Sequence, residues 1–208
     1  MSLHIQRDDH ILFYGDSITD AGRDREKGDS LGFGYAALAA GRLQALYPEL
    51  NLRFTNRGIS GNRVYDLESR LEADVLALKP TLVSILIGIN DTWRRFDSDL
   101  PSPIPDFQAS YRRILQQVSA LGCRVVLLEP FLLPIPDDRR AWREDVDQRI
   151  AAVRELAWEF NTAYLPLDGL FAQAATRQKM SYWLPDGVHP SLAGHSLISD
   201  HWVDLVTW

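Results

Sequence analysis

A single cysteine, Cys123, in 208 residues excludes any disulfide within the chain. Beside the apolar run Val125-Val126-Leu127-Leu128 it reads as a small buried residue rather than a reactive thiol. Basic residues are outnumbered, 22 against 28 acidic, for a formal net charge of -6. With no basic stripe, nucleic acid is not an expected partner. No run approaches the roughly 18 apolar residues of a membrane-spanning helix, so no membrane partner is expected either. The opening MSLHIQRDDHILFYG lacks the long apolar segment of a secretory leader, and a cytoplasmic location is the expectation. Repeats, low-complexity tracts and linkers are also missing. That leaves one domain over residues 1–208, long enough for a substantial core.

What is present is an alternation. Ile11–Tyr14, Leu52–Thr55, Leu82–Ile87, Arg124–Leu128 and Thr162–Leu165 read as strands, bounded by glycine, proline and polar residues. Between and after them lie apolar residues at helical spacing, over Gly34–Tyr47, Val64–Leu78, Phe107–Leu121, Arg139–Phe160 and Leu192–Leu205. Pro48 and Pro80 close the first two, and Gly122 is placed to cap the third. Two proline-rich stretches, 98–106 and 129–138, read as loops. Strands alternating with helices predict an α/β protein: three layers, α/β/α, around a five-stranded parallel sheet in flavodoxin-like order 2-1-3-4-5.

In such a sheet, ligands bind beyond the carboxyl ends of the strands. The first three strands each run there into small polar residues: Gly15-Asp16-Ser17, then NRGISGN (56–62), then GIND (88–91). Ser17 is a candidate nucleophile. Late in the chain, PDGVHPS (185–191) sets Asp186 three residues before His189, in a turn able to fold the carboxylate onto the imidazole. Together they have the makings of a nucleophile, a base and an orienting acid. The Ser17 and Gly61 N–H groups and the Asn90 side-chain amide could bind an oxyanion. This chemistry needs no cofactor and no metal. A metal site built from Asp186, His189 and His195 would lack further clustered ligands. Asp16, Trp93 and Trp183 are the substrate-side candidates. The two indoles suit stacking on sugar faces, whereas Asp16, like Asp91, is better suited to bracing its loop than to reacting. Asp20 fits a cap or a wall of the site.

These blocks resemble those of the GDSL or SGNH hydrolases, whose namesake Ser, Gly, Asn and His match Ser17, Gly61, Asn90 and His189 in order, with Asp186 alongside. Ile18 stands where the family name has leucine. The G-x-S-x-G elbow of α/β-hydrolases is absent. The phrases GISGN, GINDTWRRFD and HPSLAGH look like the carbohydrate-esterase branch. That resemblance implies an acetylesterase acting through an acyl-enzyme on a small acetylated carbohydrate, such as an acetylated xylo-oligosaccharide. Two other readings stay open: a lysophospholipase or thioesterase for longer acyl chains, and a non-catalytic anion-binding module. Arg57, Arg63, Arg94 and Arg95 near the predicted rim favour a polar substrate over a lipid tail. The apolar end HWVDLVTW suits either the core or a homo-oligomer interface.

Overall fold

The computed structural model describes residues 3–207. Five strands form one parallel sheet: β2 (His10–Gly15), β3 (Arg53–Gly58), β4 (Leu82–Leu86), β5 (Arg124–Leu128) and β6 (Ala163–Leu165). Their spatial order is β3-β2-β4-β5-β6. Numbered within the sheet alone, this is the expected 2-1-3-4-5. Two short strands outside it, β1 (Leu3–His4) and β7 (Val206–Thr207), pair in parallel with each other.

Side chains on successive strand residues point to opposite faces, so each buried strand feeds two cores. Ile11 and Phe13 of β2 face one core with Leu82, Leu86, Val126 and Leu128. Leu12 and Tyr14 face the other with Val83, Ile85, Val125 and Leu127. The first core is covered by α2 (Tyr35–Leu46) and α9 (Leu192–Asp204), through Tyr35, Ala39, Leu43, Ile198 and Trp202. The second is covered by α3 (Val64–Asp74), α5 (Ile104–Ala120) and α6 (Arg143–Glu159). Ser84 is the one polar residue inside β4, and its hydroxyl accepts the Trp202 indole N–H at 3.0 Å.

The differences from expectation lie at the sheet's carboxyl edge. Four short helices were not anticipated: α1 (Ser17–Asp20), α4 (Ile89–Asp97), α7 (Leu167–Ala175) and α8 (Met180–Trp183). The stretch 98–106 is not all loop, because α5 begins at Ile104 with Pro105 in its first turn, where a missing N–H costs nothing. The long helix from Arg139 divides into a 3-10 turn at Asp137–Trp142 and α6 from Arg143. The 64–78 helix likewise ends at Asp74, before a 3-10 turn at Leu76–Leu78. In the apolar C-terminal stretch, Trp202, Val203 and Val206 are buried in the first core, and Trp208 lies outside the described residues.

Candidate active site

The chain leaves β2 at Gly15 and turns at once into α1, so Ser17 stands at the strand's carboxyl end as the helix's first residue. Asp16 is the N-cap: its Oδ1 accepts the Ile18 N–H at 3.0 Å. α1 is a single turn, too short to hold its shape alone, and β3 holds it. The Asn56 amide donates to Thr19 O at 2.6 Å and to Leu31 O at 2.9 Å, while its Oδ1 accepts the Gly58 N–H at 2.8 Å. Asp20 accepts the Ser60 N–H at 3.1 Å and pairs with Arg25 at 2.7 Å, joining α1 to the turn that carries Gly61.

The structure brings Ser17, His189 and Asp186 together across 172 residues of chain. Ser17 Oγ lies 2.9 Å from His189 Nε2, and His189 Nδ1 lies 2.7 Å from Asp186 Oδ2. An ionised carboxylate can only accept, which puts the ring proton on Nδ1 and leaves Nε2 to accept from the serine hydroxyl. The other carboxylate oxygen accepts the N–H groups of Val188 at 3.0 Å and His189 at 2.7 Å. Burial alone would raise the Asp186 pKa. These hydrogen bonds, the His189 ring's foremost, outweigh it and hold the carboxyl well below its usual range. His189 is shifted upward, chiefly by its bond to Asp186, against partial burial and the nearby Arg139 charge. The loop is fixed from outside by Leu133, whose N–H donates to Gly187 O at 2.9 Å.

Gly61 and Asn90 occupy the neighbouring strand ends, after β3 and β4. Gly61 has φ +83°, in the left-handed region, within a turn closed by the Asn62 N–H to Ile59 O bond at 3.2 Å. Asn90 sits in the first turn of α4 and is nearly buried. One hydrogen of its amide goes to Asn62 O at 3.1 Å, leaving the second uncommitted. Arg70 on α3 ties these parts together. It donates to Gly15 O, Arg57 O and Asn62 Oδ1 at 3.1, 2.8 and 2.8 Å, and stacks on Tyr14. A buried network locks the base of α4. Asp91 accepts from the Val64 N–H and the Ser102 hydroxyl, while the fully buried Arg149 joins Asp145, Thr92 and Ser102.

The substrate-side candidates fare differently. Asp16 is wholly buried, so its expected contact with substrate gives way to a bracing position beneath Ser17. Burial pushes its pKa up to about 7, and Oδ2 has no hydrogen-bond partner. Trp93, on α4, is brought to the triad, its ring 5.8 Å from that of His189. Trp183 packs on the first core from α8, 5.0 Å from Tyr182, with its indole N–H unpartnered. His195 is buried, and its Nδ1 accepts the Tyr35 N–H at 3.2 Å, a structural contact. Among the described residues, no group of three or more His, Cys, Asp or Glu side chains could hold a metal ion. Nor is any helix of the described residues long and apolar enough to cross a membrane.

Of the rim arginines, Arg95 turns to the buried Asp145 at 2.7 Å, and Arg94 pairs with Asp97 at 2.6 Å. Sequence reading missed Asn56, Arg70 and Arg139, whose partners Thr19, Gly15 and Trp93 lie far along the chain, where no local pattern signals them. Arg139 stands over the rings of both Trp93 and Trp142, 4.1 and 3.7 Å from their centroids.

Comparison with known proteins places the chain among relatives. The model of the GDSL-like lipase/acylhydrolase family matches residues 13–197. An acetylxylan esterase from Geobacillus stearothermophilus is 38% identical over 197 residues, 91% of this chain and 90% of the relative. Axe2, an acetylxylan esterase from the same organism, superposes with a TM-score of 0.89 at 36% identity, over 98% of this chain and 96% of its own. LAE5, an alpha/beta hydrolase from the metagenome of Lake Arreo, gives 0.90 at 32% identity, over 97% and 96%. The family match covers residues 13–197, most of the chain, and from it we conclude that the chain belongs to the GDSL-like lipase/acylhydrolase family.

Proposed function

We propose that the protein is a serine esterase that removes acetyl groups from small acetylated carbohydrates, acetylated xylo-oligosaccharides foremost, through an acyl-enzyme. The observation that carries the reading is the continuous relay from Ser17 Oγ to His189 Nε2 at 2.9 Å and from His189 Nδ1 to Asp186 at 2.7 Å. The substrate class is supported by the similarity to the acetylxylan esterases. Two Axe2 variants described as catalytic mutants replace a serine and a histidine, the residue types that meet here.

In the proposed reaction, Ser17 attacks the ester carbonyl as His189 Nε2 takes its proton. Asp186 stabilises the imidazolium that forms. The N–H groups of Ser17 and Gly61 and the uncommitted hydrogen of Asn90 face the developing oxyanion. His189 then returns the proton to the departing sugar hydroxyl, leaving acetyl-Ser17. Water, deprotonated by His189, attacks that ester, and acetate leaves with Ser17 restored. No step calls for a metal or cofactor.

Acetate release from a panel of acetylated xylo-oligosaccharides, set beside an acyl-chain series of 4-nitrophenyl esters, tests the reading. The expected result is acetate release from the sugars and highest kcat/KM on the two-carbon ester. Activity peaking at eight or more carbons would overturn the acetyl assignment in favour of a longer-chain esterase. A Ser17→Ala protein that still forms an acyl-enzyme would overturn the mechanism.

A further inference from the structure

Arg139 is a cation without a counter-ion beside the triad. It begins its approach in the segment after β5, where the Leu133 N–H to Gly187 O bond ties that segment to the Asp186–His189 loop. The 3-10 turn Asp137–Trp142 then lays its guanidinium over two indoles, 4.1 Å from the Trp93 centroid and 3.7 Å from the Trp142 centroid. The Trp93 ring is in turn 5.8 Å from the His189 ring. Among the described residues, no carboxylate lies within ion-pair distance of Arg139, and its buried Nε has no hydrogen-bond partner. The carboxylates flanking it in sequence do not serve it: Asp137 pairs with Arg140 at 3.2 Å. Other arginines at this edge are engaged, Arg94 by Asp97, Arg95 by Asp145 and Arg25 by Asp20. Its charge is felt at the triad, where it opposes protonation of His189.

A guanidinium stacked on aromatic faces keeps its edge free for two parallel N–H donors, the geometry that suits a carboxylate. The stacking also fixes the side chain in advance, so less rotamer freedom is lost when an anion binds. An acetyl ester is neutral and gives this guanidinium no ionic partner while it is bound as substrate. We propose that Arg139 is a specificity residue that binds a carboxylate on the substrate, so that the preferred substrate is an acetylated oligosaccharide bearing a uronic acid residue close to the acetylated sugar. This deepens the reading of the site as an oligosaccharide deacetylase and rests on it. Trp93 and Trp142 supply the platform, and the guanidinium edge supplies the recognition.

The test separates the carboxylate from the rest of the sugar. A deacetylated xylo-oligosaccharide carrying one glucuronosyl group is compared with the same molecule after its carboxyl is reduced to the alcohol. Binding of each to the wild-type chain and to Arg139→Gln is measured by calorimetry, with 4-nitrophenyl acetate hydrolysis followed in parallel. A hydrogen-bonded charge pair predicts about 10- to 100-fold tighter binding of the acidic sugar to the wild type, weakening with salt. In Arg139→Gln the two sugars bind alike. Equal binding of both sugars to the wild type overturns the proposal, and this needs no variant to fold. A preference that survives in Arg139→Gln, or a variant that loses both sugars and the ester rate together, overturns it as well. Failure of the esterase reading shows separately, as a wild-type chain that hydrolyses no acetate ester.

Discussion

Gly58 is where β3 packs against the backbone of α1, and one added methyl tests how tightly Ser17 is held. A Cβ at that position would lie 2.6 Å from Thr19 C and 2.7 Å from Asp20 Cα, and nearer still to the Asp20 amide nitrogen. All three are backbone atoms, so no side chain can swing aside. Ordinary contact begins near 3.4 Å, so α1 has to retreat from β3 by about 1 Å. The retreat carries Ser17 with it and strains the Asn56 bonds to Thr19 O and Leu31 O. Overpacking of this kind costs about 1–3 kcal/mol of stability. A 1 Å displacement of a reacting group costs on the order of 100-fold in rate. Gly58→Ala is therefore expected to fold, to lose about 1–3 kcal/mol in urea denaturation, and to lose on the order of 100-fold in kcat on 4-nitrophenyl acetate. Gly28→Ala is the control, since no atom lies within 4 Å of its added methyl. A Gly58→Ala protein with wild-type kcat would refute the claim that β3 sets the position of Ser17.

Other expectations follow from the same geometry. Asn90→Ala removes a proposed oxyanion donor and is expected to lower kcat by about 100- to 1000-fold with the fold intact, read by steady-state kinetics and circular dichroism; an unchanged rate removes Asn90 from the site. His189 must be neutral to take a proton, and its bond to Asp186 raises its pKa from the usual 6.5. The acid limb of kcat/KM is thus expected above pH 6.5, and Asp186→Asn is expected to shift it downward while lowering the plateau by roughly 10⁴-fold. A limb at the same pH in both proteins contradicts the assignment. Asp16, raised by burial to about 7, holds a proton in the folded state that the unfolded chain has released. Its contribution to stability is complete below about pH 4 and is lost as pH rises through 7, by up to ~4 kcal/mol. Asp16→Asn is expected to gain on the wild type between pH 5 and pH 8 in urea denaturation, with Asp91, raised to about 6 by burial, keeping part of the slope. Parallel stability curves would rule this out.

The five central strands and the helices over them were legible because their apolar residues repeat at the spacing of buried strands and amphipathic helices. The alternation pointed to a parallel sheet, and the flavodoxin-like order chosen for it is the one observed. The short helices α1, α4, α7 and α8 were not legible. α1 and α8 are single turns, too brief for a periodic apolar stripe, and α1 and α4 owe their form to partners far along the chain, Asn56 for one and Arg149 for the other. In the site, Ser17, Gly61, Asn90, Asp186 and His189 stood out because each falls at a strand's end or in a tight turn. Asp16 did not reveal its depth, because burial is a property of the assembled edge rather than of the triplet Gly15-Asp16-Ser17. Arg139 was read only as the first residue of a long helix, whereas a 3-10 turn lays it across two indoles.

The relay joins residues 172 apart in the chain, and this gives it a use as a clock. The Ser17 alcohol stays inert until the later stretch that carries the imidazole has docked onto the completed sheet. Hydrolysis in a refolding mixture therefore counts only molecules that have closed the whole circuit, and a proteolytic nick that frees the Asp186–His189 loop silences them, however much of the sheet survives.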